Sequence, residues 1–121
     1  MNPKPSLLRS LRAAWAGLRQ LFGRERNARI ELVIGLLALT ACFVLKLGTA
    51  QRWLVFLCVA GVLSAEAMNS ALEALADALH PRQAPGIGLA KDLGAAAVLI
   101  WVLASVVVGL WVFGPPLWMA L

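Results

Sequence analysis

Charge is what this chain has least of: 14% of its 121 residues are charged, against 61% hydrophobic, and the mean hydropathy is +0.82. Too few polar groups are present to coat a soluble domain of this size, which leaves an integral membrane protein. Cysteine is nearly absent too. Cys42 and Cys58 lie in apolar runs without Cys-x-x-Cys spacing, so no disulfide framework or zinc site is expected and both read as small buried hydrophobes. The single histidine, His80, precedes Pro81 and has no second histidine with which to hold a metal; it reads as a helix end. Neither a Gly-x-x-x-x-Gly-Lys loop nor a kinase glycine-rich loop occurs, which excludes the common phosphate-cradling loops. The basic N-terminal stretch runs for about thirty residues without an apolar core or a small-residue cleavage site, unlike a cleaved signal peptide.

What charge there is has a pattern. The net charge is +5 at a pI near 10.3, and seven of the eleven cations (Lys4, Arg9, Arg12, Arg19, Arg24, Arg26, Arg29) precede the first apolar run. That placement fits a positive-inside membrane segment and not a nucleic-acid patch, so no nucleic-acid partner is expected. With only Lys46 and Arg52 in the first loop, the N-terminus is assigned to the cytoplasm of a bacterial cell, under its inner membrane.

The spacing predicts an all-α integral membrane protein forming one membrane domain over 1–121. Ser6 is the expected N-cap of an amphipathic surface helix over 6–22, with Leu7, Leu11, Trp15, Leu18 and Phe22 on one face and Arg9, Arg12 and Arg19 away from it. The same face would equally serve to pack against a bundle. A charged hinge, 23–31, leads to a first span over 28–47. A second, over 53–79, is longer than a bilayer requires and extends on the cytoplasmic side up to His80-Pro81. Residues 82–88, with Pro85, Gly86 and Gly88, are expected to form a tight connector. A third span, 91–113, opens at Lys91-Asp92, is stopped by Gly114-Pro115-Pro116 and is anchored by Trp111 and Trp118. Its small residues, Gly94 to Ala97, would permit close helix packing.

Within the second span the polarity is anomalous. Glu66, Asn69, Ser70, Glu73 and Asp77 fall within one helical stripe about 100° wide. A carboxylate at the centre of a span costs about 2.5 to 3.5 kcal/mol on insertion scales, so intramembrane acids are functional suspects by default. The six acids of the chain are Glu25, Glu31, Glu66, Glu73, Asp77 and Asp92. All group at the membrane face where ATP is available, beside Lys91 and several arginines. Carboxylates can hold a magnesium that contacts substrate phosphates, and cations neutralise phosphate charge. A remaining carboxylate in an apolar setting can take a proton from an attacking hydroxyl. Each residue also has a plainer reading. Asn69 and Ser70 serve as interhelical glue, Asp77 as a solvated acid, and Lys91 and Asp92 as a snorkelling cation and a helix-dipole partner.

The stretch Glu66-Ala-Met-Asn69-Ser70-Ala-Leu-Glu73-Ala-Leu-Ala-Asp77, followed by Lys91-Asp92-Leu-Gly94-Ala-Ala-Ala-Val-Leu, resembles the signature of the small prokaryotic diacylglycerol kinase family, which includes the undecaprenol kinases. The similarity runs from about Gly17 to Phe113, and Arg24-Glu25-Arg26-Asn27-Ala28-Arg29-Ile30 resembles the undecaprenol kinase branch. The resemblance implies a homotrimer of three-span subunits with active sites shared between chains, transferring the γ-phosphoryl group of ATP to a lipid hydroxyl, in diacylglycerol or undecaprenol. It implies Glu66 as general base, Glu25 and Glu73 as ligands of the magnesium that accompanies ATP, and Asn69 in support. Lys91 and Asp92 would contact the nucleotide, with Asp77 a further acid near it. Where the family often has Glu-Tyr-His in the connector, this chain has Arg82-Gln83-Ala84.

Two other classes compete. In a proton- or cation-coupled transporter protomer Glu66 would bind the ion. In a non-catalytic membrane adaptor the stripe would be assembly glue. The grouping of the acids at one face beside Lys91, instead of along a path across the bilayer, speaks for the kinase.

Overall fold

Ser6 caps the first helix, its Oγ accepting from the backbone N–H of Arg9 at 3.3 Å. In the computed structural model, which describes residues 3, 4, 6–79 and 84–121, four helices follow: α1 (Leu7–Arg24), α2 (Arg26–Val44), α3 (Thr49–Leu79) and α4 (Pro85–Ala120). The His80-Pro81 stop and residues 82 and 83 lie outside the described residues.

Glu25 is the elbow between α1 and α2. Its backbone is extended (φ −97°, ψ 109°), and its N–H donates to the Leu21 carbonyl at 2.9 Å. The Arg29 guanidinium donates to the carbonyls of Phe22 (2.9 Å) and Gly23 (3.2 Å), satisfying acceptors that the end of α1 leaves open. A cation from α2 thus fixes the bend.

At the other end of α2, Lys46 (φ 54°) reverses the chain in a Schellman motif, with Lys46 N–H donating to Phe43 and Leu47 N–H to Cys42. The Arg52 Nε donates to the Leu47 carbonyl at 2.9 Å, and its guanidinium lies 4.8 Å from the Phe43 ring centroid.

Helices α2, α3 and α4 are each long and apolar enough to cross a membrane. The protein is multi-pass, and most of its exposed large side chains are the Leu, Ile, Val and Trp of those spans. With 31 residues α3 is about 46 Å long, beyond the roughly 30 Å of a hydrocarbon core. It is the central element, packing against both α2 and α4, while α1 touches α2. Gly35 makes the α2–α3 crossing tight: a Cβ there would lie 2.6 Å from Val59 Cγ1. Two span hydroxyls are satisfied within their own helix, Thr40 donating to Leu36 and Ser105 to Trp101.

The boundaries furthest from expectation are those of α4, although α2 also runs Arg26–Val44 against 28–47 and α3 starts at Thr49 against 53. Pro85, Gly86 and Gly88 are helical and not a connector, because Pro85 sits at the start of α4, where a missing N–H costs nothing. Nor does Gly114-Pro115-Pro116 stop the span: α4 runs through both prolines to Ala120. A proline forfeits its own bond to the carbonyl four residues back, while later residues can go on donating.

Candidate active site

The buried face of α3 carries Val55, Val62, Glu66 and Ala76, so the helix turns its acidic stripe toward its neighbours. Glu66 is 5% exposed, the one buried charged side chain among the described residues. It lies within electrostatic reach of Glu25 and Glu73, and Glu31 lies within reach of Glu66. Four carboxylates from α2, α3 and the α1–α2 elbow therefore converge.

A cleft of about 420 Å³ opens between α1 and α3, lined by Arg24, Glu25, Ser70, Glu73 and Asp77 together with small and apolar residues such as Gly17 and Leu21. The elbow delivers Glu25 and the stripe delivers the rest. At its α4 side Lys91 Nζ donates to Asp77 Oδ1 at 2.8 Å, and Glu73 is within electrostatic reach of the same ammonium. That is the one ion pair among the described residues. Arg24 consequently reaches the cleft without a carboxylate partner.

Of the residues singled out in the sequence, Glu25, Ser70, Glu73 and Asp77 share this cleft, Glu66 adjoins it and Lys91 is tied to its margin through Asp77. Asn69 and Asp92 are placed elsewhere. Asn69 lines a shallower cleft of about 570 Å³ between α3 and α4, where its Oδ1 stands 2.5 Å from the point a Cβ on Gly94 would occupy. Gly94 thus leaves room for the amide. Asp92 is exposed and lines none of these clefts.

Sequence reasoning passed over Glu31. Its Oε2 is buried without a hydrogen-bond partner, as is Asn69 Oδ1, and it sits at one margin of an apolar groove of about 350 Å³ lined by α2, α3 and α4. In the sequence Glu31 belongs to the charged hinge of 23–31; the signal that sets it apart is that it lies inside the first apolar helix, where an acid is costly. Buried polar atoms left unpaired call for an explanation.

An all-α, three-span membrane protein with an acid-lined cleft at one end of its central helix is the class that fold and site define. The family model described as Prokaryotic diacylglycerol kinase matches residues 12–113, starting ahead of Gly17, and the chain belongs to that family. It is 36% identical over 93% of its length to a diacylglycerol kinase of Synechocystis, of which it spans 65%. It is 35% identical to a diacylglycerol kinase of Escherichia coli (88% of this chain, 89% of the relative). It is 29% identical to an undecaprenol kinase of Bacillus subtilis (86% and 85%).

Proposed function

We propose that this chain is a lipid kinase that transfers the γ-phosphoryl group of ATP to the hydroxyl of a membrane lipid, diacylglycerol or undecaprenol. The observation that carries the reading is the meeting of Glu25 and Glu73 in one cleft, with buried Glu66 beside them and Lys91 at the margin.

Magnesium fits this donor set. Among the described residues no three His, Cys, Asp or Glu side chains are grouped to hold a metal unaided. Two carboxylates suffice for an ion that keeps waters and shares phosphate oxygens with its nucleotide. Bound there through Glu25 and Glu73, magnesium would neutralise charge on the phosphates. Glu66, shielded from water, accepts the proton of the lipid hydroxyl as its oxygen attacks the γ-phosphorus; the bond to the β-phosphate oxygen breaks and ADP leaves. Lys91 and Asp92 contact the nucleotide, and Asn69 supports the site from the α4 side. Positioning and charge neutralisation supply most of the acceleration.

The family's homotrimer with shared sites belongs to the same proposal. Unpartnered Glu31 Oε2 and Asn69 Oδ1, and the absence of Asp92 from the cleft lining, support a site completed by a second copy. The cation distribution supports a cytoplasmic N-terminus and cleft in a bacterial inner membrane. No observation favours the transporter or the adaptor.

The test is phosphate transfer from labelled ATP with magnesium by purified protein in mixed micelles, offering diacylglycerol and undecaprenol in parallel. Product from either acceptor supports the kinase and names its substrate. Failure of a folded protein to transfer phosphate to either overturns the assignment.

A further inference from the structure

The ion pair between Asp77 and Lys91 joins two helices at the margin of the cleft, yet it contributes little to holding them together. Lys91 is 39% exposed and Asp77 67% exposed, and a pair so wet is screened by water. Its geometry is nonetheless definite: a 2.8 Å hydrogen bond, with Glu73 as a second anion within reach of the ammonium. Asp77 lines the cleft alongside Glu25 and Glu73, whereas Lys91 itself is not among the lining residues. The carboxylate is therefore the bridge between the lysine and the cleft.

We propose that Asp77 is a positioning residue that acts through Lys91. A lysine on a flexible four-carbon stem has many rotamers, and a nucleotide that recruits a wandering ammonium bears the entropy of ordering it. Asp77 holds that ammonium at the cleft before the nucleotide arrives, so the phosphates meet a cation already in place. Asp77 lies one turn beyond Glu73 on α3, and its one hydrogen-bond partner among the described residues is Lys91. The inference rests on the nucleotide site proposed above.

Asp77→Asn removes the charge while preserving size. It is expected to raise the KM for ATP about three- to tenfold, since an exposed ion pair and an ordered lysine are modest effects. The KM for the lipid, the magnesium concentration giving half-maximal rate and the melting temperature in detergent should all stay at wild-type values. Asp77→Glu should recover part of the loss. ATP binding by purified protein supplies the second measurement: in a Lys91→Met background, Asp77→Asn should weaken binding no further, because residues acting as one unit are not additive. An unchanged KM for ATP, a raised magnesium requirement, or additive losses in the double variant would each overturn the proposal. Absence of turnover in the wild-type protein would instead remove the kinase reading.

Discussion

At the loop end of the spans Cys42, Leu47, Val55 and Val112 close into a core, with Ala38, Leu39, Val108 and Phe113 packed around it. At the cleft end the same helices bring together Glu25, Glu31, Glu66 and Glu73, and leave Glu31 Oε2 and Asn69 Oδ1 buried without partners. One end has its contacts completed within the chain; the other holds like charges that repel and polar atoms that wait for something. Membrane packing of small apolar residues supplies the stability that the acidic end draws on. Helix α3 belongs to both ends, with Val55 in the core and Glu66 in the acid cluster.

Substitutions at the two ends should therefore fail in different ways. The largest effect is expected at Glu66: Glu66→Gln should lower turnover about a thousandfold, the scale of a general base, while the protein stays folded in detergent. Wild-type phosphate transfer by that variant would remove Glu66 as the base. Glu73→Gln should raise the magnesium concentration needed for half-maximal activity about tenfold or more, because it removes one of the two carboxylates proposed above to hold the ion. An unchanged magnesium titration would take Glu73 out of the metal site.

The loop end should respond in stability alone. Val112 is fully buried, and Val112→Ala should cost about 2 kcal/mol, read as a lower melting temperature in detergent, with turnover preserved below the transition. Loss of turnover without loss of stability there would break the division between the ends. The smallest effect belongs to the surface helix: Ser6→Ala removes one cap and should cost about 1 kcal/mol or less, seen as faster amide exchange in the first turn of α1.

The helices were legible because their signals are local. Ser6 caps α1 as its residue type suggests, and the stripe from Glu66 to Asp77 follows from the period of 3.6 alone. Both Cys42 and Cys58 are free; Cys42 is buried as its apolar setting implied, whereas Cys58 is only half-buried. The ends of α4 were less legible, because Gly and Pro have different meanings at the first position of a helix and inside one. Pro85 starts α4, whereas Pro115 and Pro116 ride within it. The site was legible as a set of residue types and not as a set of contacts. Lys91 and Asp77 stand 14 residues apart on separate helices, and nothing in the stripe dictates that they bond. Glu31 needed the packing of α2 against α3 before its buried oxygen distinguished it from the hinge acids.

The stripe on α3 has a further consequence. From Glu66 to Asp77 the helix advances about 16 Å, enough to pass from hydrocarbon depth into the headgroup layer. A site built along that stretch draws its two reactants from different phases. One arrives by lateral diffusion in a plane and the other from bulk water, so one is counted as a mole fraction of the surface and the other as a molarity. Diluting the micelles or vesicles with inert lipid should therefore lower the rate at a constant total amount of acceptor, whereas diluting the whole suspension should change only the supply of nucleotide.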